Sequence, residues 1–481
     1  MNRRTPPKRI VAPAAILAFA LSFTAALAYA QEHPLDAYVA APDDAYAWEA
    51  VASYDADAFT LHVIDLTSQT WRRPDEVDRT TWKHWVSVYV PKKTKHDTAL
   101  LMIGGGRNGR EAPSGPDELV AKVAVASNSI CIDLKQIPNQ PLEFYGDGQD
   151  RFEDDLIAYT WNKFRETDDP TWLARMPMTK AVVRAMDAVQ EFARERLDRD
   201  LTGFVVAGGS KRGWTTWTTA AVDPRVVAFC PIVIDVLNVR ASIKHHWAAY
   251  GFWAPAMGDY VNHRVMDWLD DPAFDALMAV VDPYAYLDRY QQPKLILNAA
   301  GDQFFLPDSS QFYYDDLPGE KLIRCVPNAD HGMDESNAPE TLAAWYIALL
   351  NDIPRPHFSW DIAHDDDGAV ITVSCEDAPA DVVLWQATNP DARDFRVESI
   401  GRAFVPSPVE GADGVYVARI DKPEQGWTAG LVELTFDSPG PVPLRLSTQV
   451  AVTPDLLPFA DKPILPDEAD SAAEEVLVGA E

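Results

Sequence analysis

The chain has 481 residues, with 42 Lys and Arg against 73 Asp and Glu, and a formal net charge of −31. That length exceeds one ordinary core and implies two domains, and the acidic balance excludes nucleic acid and anionic lipid as partners, since both need a basic surface. The acidic residues are spread along the chain, which reads as solubility, apart from an acidic tail over 461–481.

The first 30 residues have the form of an export signal. Arg3, Arg4, Lys8 and Arg9 make a basic start, an apolar run extends from Ile10 to Leu27, and Ala28-Tyr29-Ala30 supplies a small-x-small cleavage pattern. Pro13 interrupts the run and no stop-transfer pattern follows, so a cleaved leader is expected rather than a membrane anchor. No later stretch is long and apolar enough to span a bilayer. The mature protein is therefore expected to be periplasmic or secreted. Its four cysteines, Cys131, Cys230, Cys325 and Cys375, form no C-x-x-C pair and are expected to be buried free thiols.

Residues 31–353 read as a doubly wound α/β domain. Strands are expected at Leu61–Leu66, His84–Val90, Thr98–Ile103 and Ser129–Leu134, and helices at Asp154–Phe164 and Thr179–Arg196. Further strands follow at Phe204–Gly208, Val226–Ile234, Pro293–Ala300 and Lys321–Val326. Several are continuous apolar runs, as in a parallel sheet covered on both faces. The segment from about 236 to 290 is helical and rich in aromatics, among them Trp247, Tyr250, Trp253 and Tyr260, and is expected to form a lid. Most of its aromatics should pack the insertion, while Trp253 is a candidate for touching substrate. His245, His246 and His263 lie there too, without metalloenzyme spacing, so they are expected to be structural and no metal site is expected.

The chemistry concentrates at Gly208-Gly209-Ser210-Lys211-Arg212-Gly213. A strand ends at two glycines, a serine follows, and a helix begins, which is the form of a nucleophile elbow. The downstream glycine falls one place later than in G-x-S-x-G, with Arg212 where it would stand. Gly104-Gly105-Gly106, directly after an apolar strand, resembles the loop that lends a second oxyanion N–H in lipases and esterases. Asp302 follows one late strand and His331 the last, giving the order Ser, Asp, His found in α/β-hydrolases. Asp308 and Asp330 are nearby competitors for the carboxylate role. The expected catalytic residues are therefore Ser210, His331 and Asp302, with oxyanion donors at Lys211, Gly105 and Gly106. No cofactor is required by such chemistry, and the partner is a small-molecule or peptide substrate.

Four stretches carry a family resemblance: Gly209–Trp217, Pro138–Leu142, Glu153–Trp161 and Tyr250–Ala254. On them the chain resembles the PhoPQ-activated pathogenicity-related protein family over roughly residues 35–450. The resemblance implies an α/β-hydrolase and an exported enzyme, in a family whose first members are associated with resistance to antimicrobial peptides under two-component control. It names no substrate. The elbow also resembles that of glucuronoyl esterases, so the Lys211-Arg212 pair either binds a substrate carboxylate, aids the oxyanion, or braces the elbow through salt bridges. Arg212 is accordingly a candidate substrate-binding residue.

Past the Pro354-Arg355-Pro356 linker, residues 354–460 show short alternating strands, expected at 358–363, 369–375, 381–386, 414–420, 431–437 and 442–452. That pattern implies a small β-sandwich of immunoglobulin-like type. The expected function is an exported serine hydrolase acting on an ester or amide. The alternatives are a carbohydrate-directed esterase of glucuronoyl type and a non-catalytic binding protein on a hydrolase scaffold.

Overall fold

A computed structural model of the chain describes residues 33–464. The expected leader and most of the acidic tail lie outside the described residues.

A nine-stranded mixed sheet organises the first part of the chain. In chain order its elements begin with α1 (Pro34–Ala40), β1 (Ala47–Asp55), β2 (Phe59–Thr70), β3 (Thr81–Pro91), β4 (Thr98–Ile103), α2 (Glu118–Ser127) and β5 (Cys131–Leu134). They continue with α3 (Glu153–Thr167), α4 (Arg175–Leu197), β6 (Gly203–Gly209), α5 (Lys211–Val222) and β7 (Val226–Ile232). The insertion between β7 and β8, the segment expected as a lid, contributes α6 (Val239–Tyr250), α7 (Gly258–Asn262) and α8 (Pro272–Val281), and β8 (Lys294–Ala299), β9 (Lys321–Val326) and α9 (Ala338–Leu350) complete the unit. The strand order is β1-β2-β3-β5-β4-β6-β7-β8-β9. The first three strands and the β3–β5 pair are antiparallel, whereas β5-β4-β6-β7-β8-β9 run parallel.

The parallel strands are buried on both faces, as their unbroken apolar sequences require. Leu101, Val206, Ile296 and Ile323 point to the core shared with α1, α3, α4 and α5, and Leu100, Val205, Leu295 and Leu322 to the core under α2 and α9. The expected strands and helices are all present. Absent from the sequence reading were α1, β1, α2 and α9. β1 is an edge strand with six of its nine residues exposed and none fully buried, so it carries little apolar signal to detect. α9 is apolar nearly all round because it is buried against the sheet, which hides the amphipathic period.

Beyond residue 357 the chain is β apart from one short helical turn, Val397–Ile400: β10 (Phe358–Asp365), β11 (Gly368–Cys375), β12 (Asp381–Asn389), β13 (Val405–Pro408), β14 (Gly411–Ala412), β15 (Val415–Asp421), β16 (Trp427–Phe436), β17 (Leu444–Ser447) and β18 (Ala451–Thr453). They form two antiparallel sheets, β10-β11-β15-β14 and β13-β12-β16-β17, with β18 also beside β16. Ile371 and Ile420 of one sheet and Leu384 and Leu434 of the other belong to one buried cluster. The stretch expected as one strand over 442–452 is two. β17 pairs with the end of β16 and β18 with its beginning, and Thr448 bridges the break by exchanging hydrogen bonds with Val432.

This all-β unit sits on the edge strand β9. Arg324 of β9 is fully buried and pairs with Glu433 of β16 at 2.9 Å, and the Cys325 N–H donates to Ser447 Oγ at 2.9 Å. A second contact reaches the strand-end loops, where the Val397 N–H donates to the Gly301 carbonyl at 3.0 Å. All four cysteines are free.

Candidate active site

The crevice follows from the strand order. The chain leaves β4 toward β5 on one side and leaves β6 toward β7 on the other, so the carboxyl ends of β4 and β6 flank a topological switch point, where α/β sheets place their ligands. The register pairs Ile103 with Gly208. The Gly104–Gly106 loop and the Gly209–Lys211 turn therefore emerge side by side at the same level.

Ser210 sits at the tip of that turn with φ 55° and ψ −127°, a conformation that costs a non-glycine residue about 1–3 kcal/mol. Its N–H is tied to the Ile232 carbonyl at 2.8 Å. A serine at the N-cap of a helix normally turns its hydroxyl back onto the first-turn N–H groups. Ser210 occupies the N-cap of α5 and makes no such bond, so its Oγ is left for other work. The Lys211 N–H opens the helix, where no intrahelical acceptor exists and the helix dipole favours negative charge.

The displaced glycine has a packing reason. A Cβ on Gly213 would lie 2.8 Å from the Gly208 carbonyl oxygen and 2.9 Å from Ile234 Cγ2, so helix and strand meet there. Arg212, where the usual pattern has glycine, turns its side chain away. Its Nε donates to the Ile137 carbonyl at 2.5 Å and its Nη2 to Glu153 Oε1 at 2.7 Å. A Cβ on Gly105 would lie 2.6 Å from that guanidinium, so only glycine fits in this loop. Lys211 Nζ pairs with Glu153 at 2.9 Å and with Asp154 at 3.0 Å. Gln140 completes the cluster, donating to Glu153 Oε1 at 2.5 Å and accepting from the Glu153 N–H at 2.8 Å. Burial pushes the Glu153 carboxyl up, but Arg212 and Lys211 outweigh it and hold it at about 2. Both cations of the elbow are thus neutralised inside the protein.

On the other side, Asp302 follows β8 and His331 follows β9. The Asp302 carboxylate is buried and accepts from His331 Nδ1 at 2.8 Å. It also accepts the Phe304 N–H at 2.7 Å. Gln303 Oε1 accepts the His331 N–H at 2.8 Å, which fixes the loop that bears the imidazole. Asp308 and Asp330 are engaged elsewhere: Asp308 holds His245 and Arg393, and Asp330 caps the Gly332 N–H. Among the described residues no hydrogen bond joins Ser210 Oγ to His331 Nε2. Phe304 spans the gap, lining the cavity beside Ser210 and packing on the His331 ring at 4.5 Å between centroids. Bonds of this type in substrate-free sites commonly tighten only when substrate binds.

The cavity against Ser210 has a volume of about 50 Å³ and is walled by Trp161, Trp214 and Ile234 from the main unit and by Ile243, Met257 and Tyr260 from the lid. Tyr260 is held by its hydroxyl, which donates to Asp154 at 3.0 Å. Trp253 lies apart from this wall, with its ring 4.9 Å from that of Trp247 and 5.7 Å from that of His246. His246 in turn fixes the lid to Phe304, with Nδ1 3.3 Å from the Phe304 carbonyl, while His263 pairs with Asp155. Sequence reasoning did not single out Glu153, Asp154, Arg175 or Phe304. The one available signal was the acidic triplet Glu153-Asp154-Asp155 at a helix start, complementary in charge to Lys211-Arg212.

The sequence matches the model of the PhoPQ-activated pathogenicity-related protein family over residues 35–396. The chain belongs to that family. The PhoPQ-related match ends within the all-β unit, short of the extent expected from the motifs. A curated relative, autocrine proliferation repressor protein A of Dictyostelium discoideum, is 40% identical over 453 residues, covering 89% of this chain and 91% of its own. Among solved structures, acetyl xylan esterase 1 from Thermoanaerobacterium sp. is similar at 15% identity and a TM-score of 0.44, covering 66% of this chain and 93% of its own. An S-formylglutathione hydrolase from Agrobacterium tumefaciens is similar at 16% identity and a TM-score of 0.41, covering 63% and 99%.

Proposed function

We infer that this PhoPQ-related protein is an exported serine hydrolase of α/β-hydrolase type that cleaves an ester or amide bond through an acyl-enzyme. The observation that carries the reading is the Ser210 hydroxyl, unused by its own helix and held at a strained turn in the switch-point crevice. In this mechanism His331 takes the Ser210 proton as Oγ attacks the carbonyl carbon, and later returns it to the leaving group. Asp302 orients the imidazole through Nδ1 and stabilises the imidazolium that forms. The Lys211 N–H and the N–H groups of Gly105 and Gly106 face the oxyanion, and such donors are worth roughly 3 kcal/mol each. Water then releases the acyl group. Export to the periplasm or beyond rests on the leader-like first 30 residues.

The glucuronoyl-type alternative needs a free cation for the sugar carboxylate; Lys211 and Arg212 are paired with Glu153 and Asp154, which leaves Arg175, in the wall of the Ser210 cavity without a carboxylate partner among the described residues, for that role. The binding-protein alternative draws support from the name of the Dictyostelium relative, a repressor of proliferation. A fluorophosphonate probe separates the two. Labelling of the purified protein that disappears in Ser210→Ala and falls sharply in His331→Asn is the expected result. A folded wild-type protein that takes no label would overturn the hydrolase reading and leave the binding scaffold.

A further inference from the structure

We propose that this site selects a short acyl group, acetyl or propionyl, and therefore acts on small-acyl esters rather than on long-chain lipids. The proposal rests on Ser210 being the acyl-accepting nucleophile. It goes beyond that reading by assigning the acyl group from the cavity that adjoins the serine.

Size is the first argument. The cavity beside Ser210 measures about 50 Å³. An apolar cavity of about 150 Å³, three times as large, holds one benzene. The space therefore takes one or two carbons beyond the carbonyl and no ring. Its walls do not yield easily. Trp214 is fixed by its indole N–H, which donates to the Val281 carbonyl at 2.5 Å, and Tyr260 by its bond to Asp154. Met257 is the soft member of the wall, being unbranched and supplied by the lid.

Polarity is the second argument. The inner surface is made by Ile234, Ile243, Met257, Phe304 and Phe305. Of the charged groups at its rim, Lys211 and Asp154 pair with each other, whereas Arg175 donates to the Lys211 carbonyl at 2.8 Å and has no carboxylate partner among the described residues; Arg175 Nε and Trp161 Nε1 are buried without hydrogen-bond partners there. An ammonium on the acyl group would enter beside the Arg175 guanidinium, and such burial is strongly unfavourable. The reaction is then a simple acyl transfer. Ser210 Oγ bonds to the acyl carbon, the bond from that carbon to the alcohol oxygen breaks, and His331 passes the serine proton to the leaving alcohol. Water next attacks the acyl-serine, releasing a short carboxylic acid and restoring the hydroxyl.

The test uses the full chain and p-nitrophenyl esters of acetate, propionate, butyrate, hexanoate and octanoate, with an ethoxy fluorophosphonate to count active serines. The expected result is a kcat/KM highest for acetate or propionate and at least tenfold lower for hexanoate. Met257→Ala and Ile243→Ala should each move the optimum toward longer chains. A protein that reacts with the fluorophosphonate but prefers hexanoate or octanoate overturns the acyl-size proposal while leaving the serine reading intact. A short-chain preference that neither variant shifts also overturns it, because the selection would then be made elsewhere. Failure to react with the fluorophosphonate in a folded sample removes Ser210 itself, and the proposal with it.

Discussion

Two His–Asp pairs lie a few residues apart in this protein, and they differ in ways that decide what each can do. His331 meets Asp302 at 2.8 Å and His245 meets Asp308 at 3.0 Å, and both carboxylates are buried in the loop after β8. The imidazole of the first pair keeps 18% of its surface exposed, while that of the second keeps 7%. Asp302 receives its remaining bonds from backbone N–H groups, whereas Asp308 receives Arg393 of the all-β unit at 2.6 Å. Asp308 thus has a permanent cation and serves as a rivet between lid, sheet loop and C-terminal unit. Asp302 has no guanidinium, so in the proposed mechanism its charge is available when His331 becomes an imidazolium. The pair alone is not a catalytic signature. The second partner of the carboxylate and the access of the ring make the difference.

Exchanging the two histidines for asparagine gives the largest expected contrast. His331→Asn should lower kcat by roughly 10⁶, the order seen when a serine-hydrolase base is removed. His245→Asn should keep kcat within about tenfold of the wild type and cost about 1–3 kcal/mol of stability as a lost buried hydrogen bond. Equal activity losses from both, measured on the same ester, would erase the distinction. The carboxylates should split in the same way. Asp302→Asn should cost about 10⁴ in kcat through the wrong imidazole tautomer, with the melting temperature nearly unchanged. Asp308→Asn strands the Arg393 guanidinium in the interior and should cost about 3–5 kcal/mol in a denaturant titration. Arg393→Met should destabilise comparably, and the double variant should recover part of the loss, since an apolar replacement for a buried ion pair is often tolerated.

The contrast also marks the limit of the sequence. The placing of Ser210, Asp302 and His331 at successive strand ends was legible because each follows an apolar strand. The strands themselves were legible because the parallel sheet is buried on both faces. His245, Asp308 and Arg393 were not, because an ion pair spanning 85 residues leaves no local pattern. The role of Lys211 and Arg212 stayed open for the same reason: their partners, Glu153 and Asp154, are brought in by α3 from across the crevice. Trp253 was singled out as an aromatic on the lid, yet the lid aromatic beside Ser210 is Tyr260, and only the path of α6 and α7 decides which faces inward.

A third carboxylate sharpens the comparison from below the site. Asp235 follows β7, is fully buried, and accepts a hydrogen bond from Tyr313 at 2.6 Å. It has no cation. Burial, with the charges of Asp302 and Asp308, pushes its carboxyl up to about 8. A group whose folded value is raised contributes stability that is fully present below its unfolded value and is lost as pH rises through the folded one. Wild type and Asp235→Asn should therefore be equally stable near pH 4. The variant should gain steadily up to about pH 8 and then stay ahead by roughly 5 kcal/mol, because asparagine still accepts the Tyr313 bond without the buried charge. Parallel stability curves at every pH would refute this account of Asp235.

The smallest effect belongs to Glu153, and its sign is the reverse. Its carboxyl is lowered from 4.5 to about 2, so the stability it contributes is present above 4.5 and lost as pH falls toward 2. More than a third of its side chain is exposed, so water and salt screen the pairing with Arg212 and Lys211. Glu153→Gln should leave the protein slightly less stable at neutral pH and flatten the fall in melting temperature between pH 4.5 and 2. The difference should shrink in 1 M salt, where the screening length is only about 3 Å. A difference that grows with salt would mean that the cluster is held by packing of the Glu153 stem rather than by charge. In that case the neutralisation of Lys211 and Arg212 would need another source.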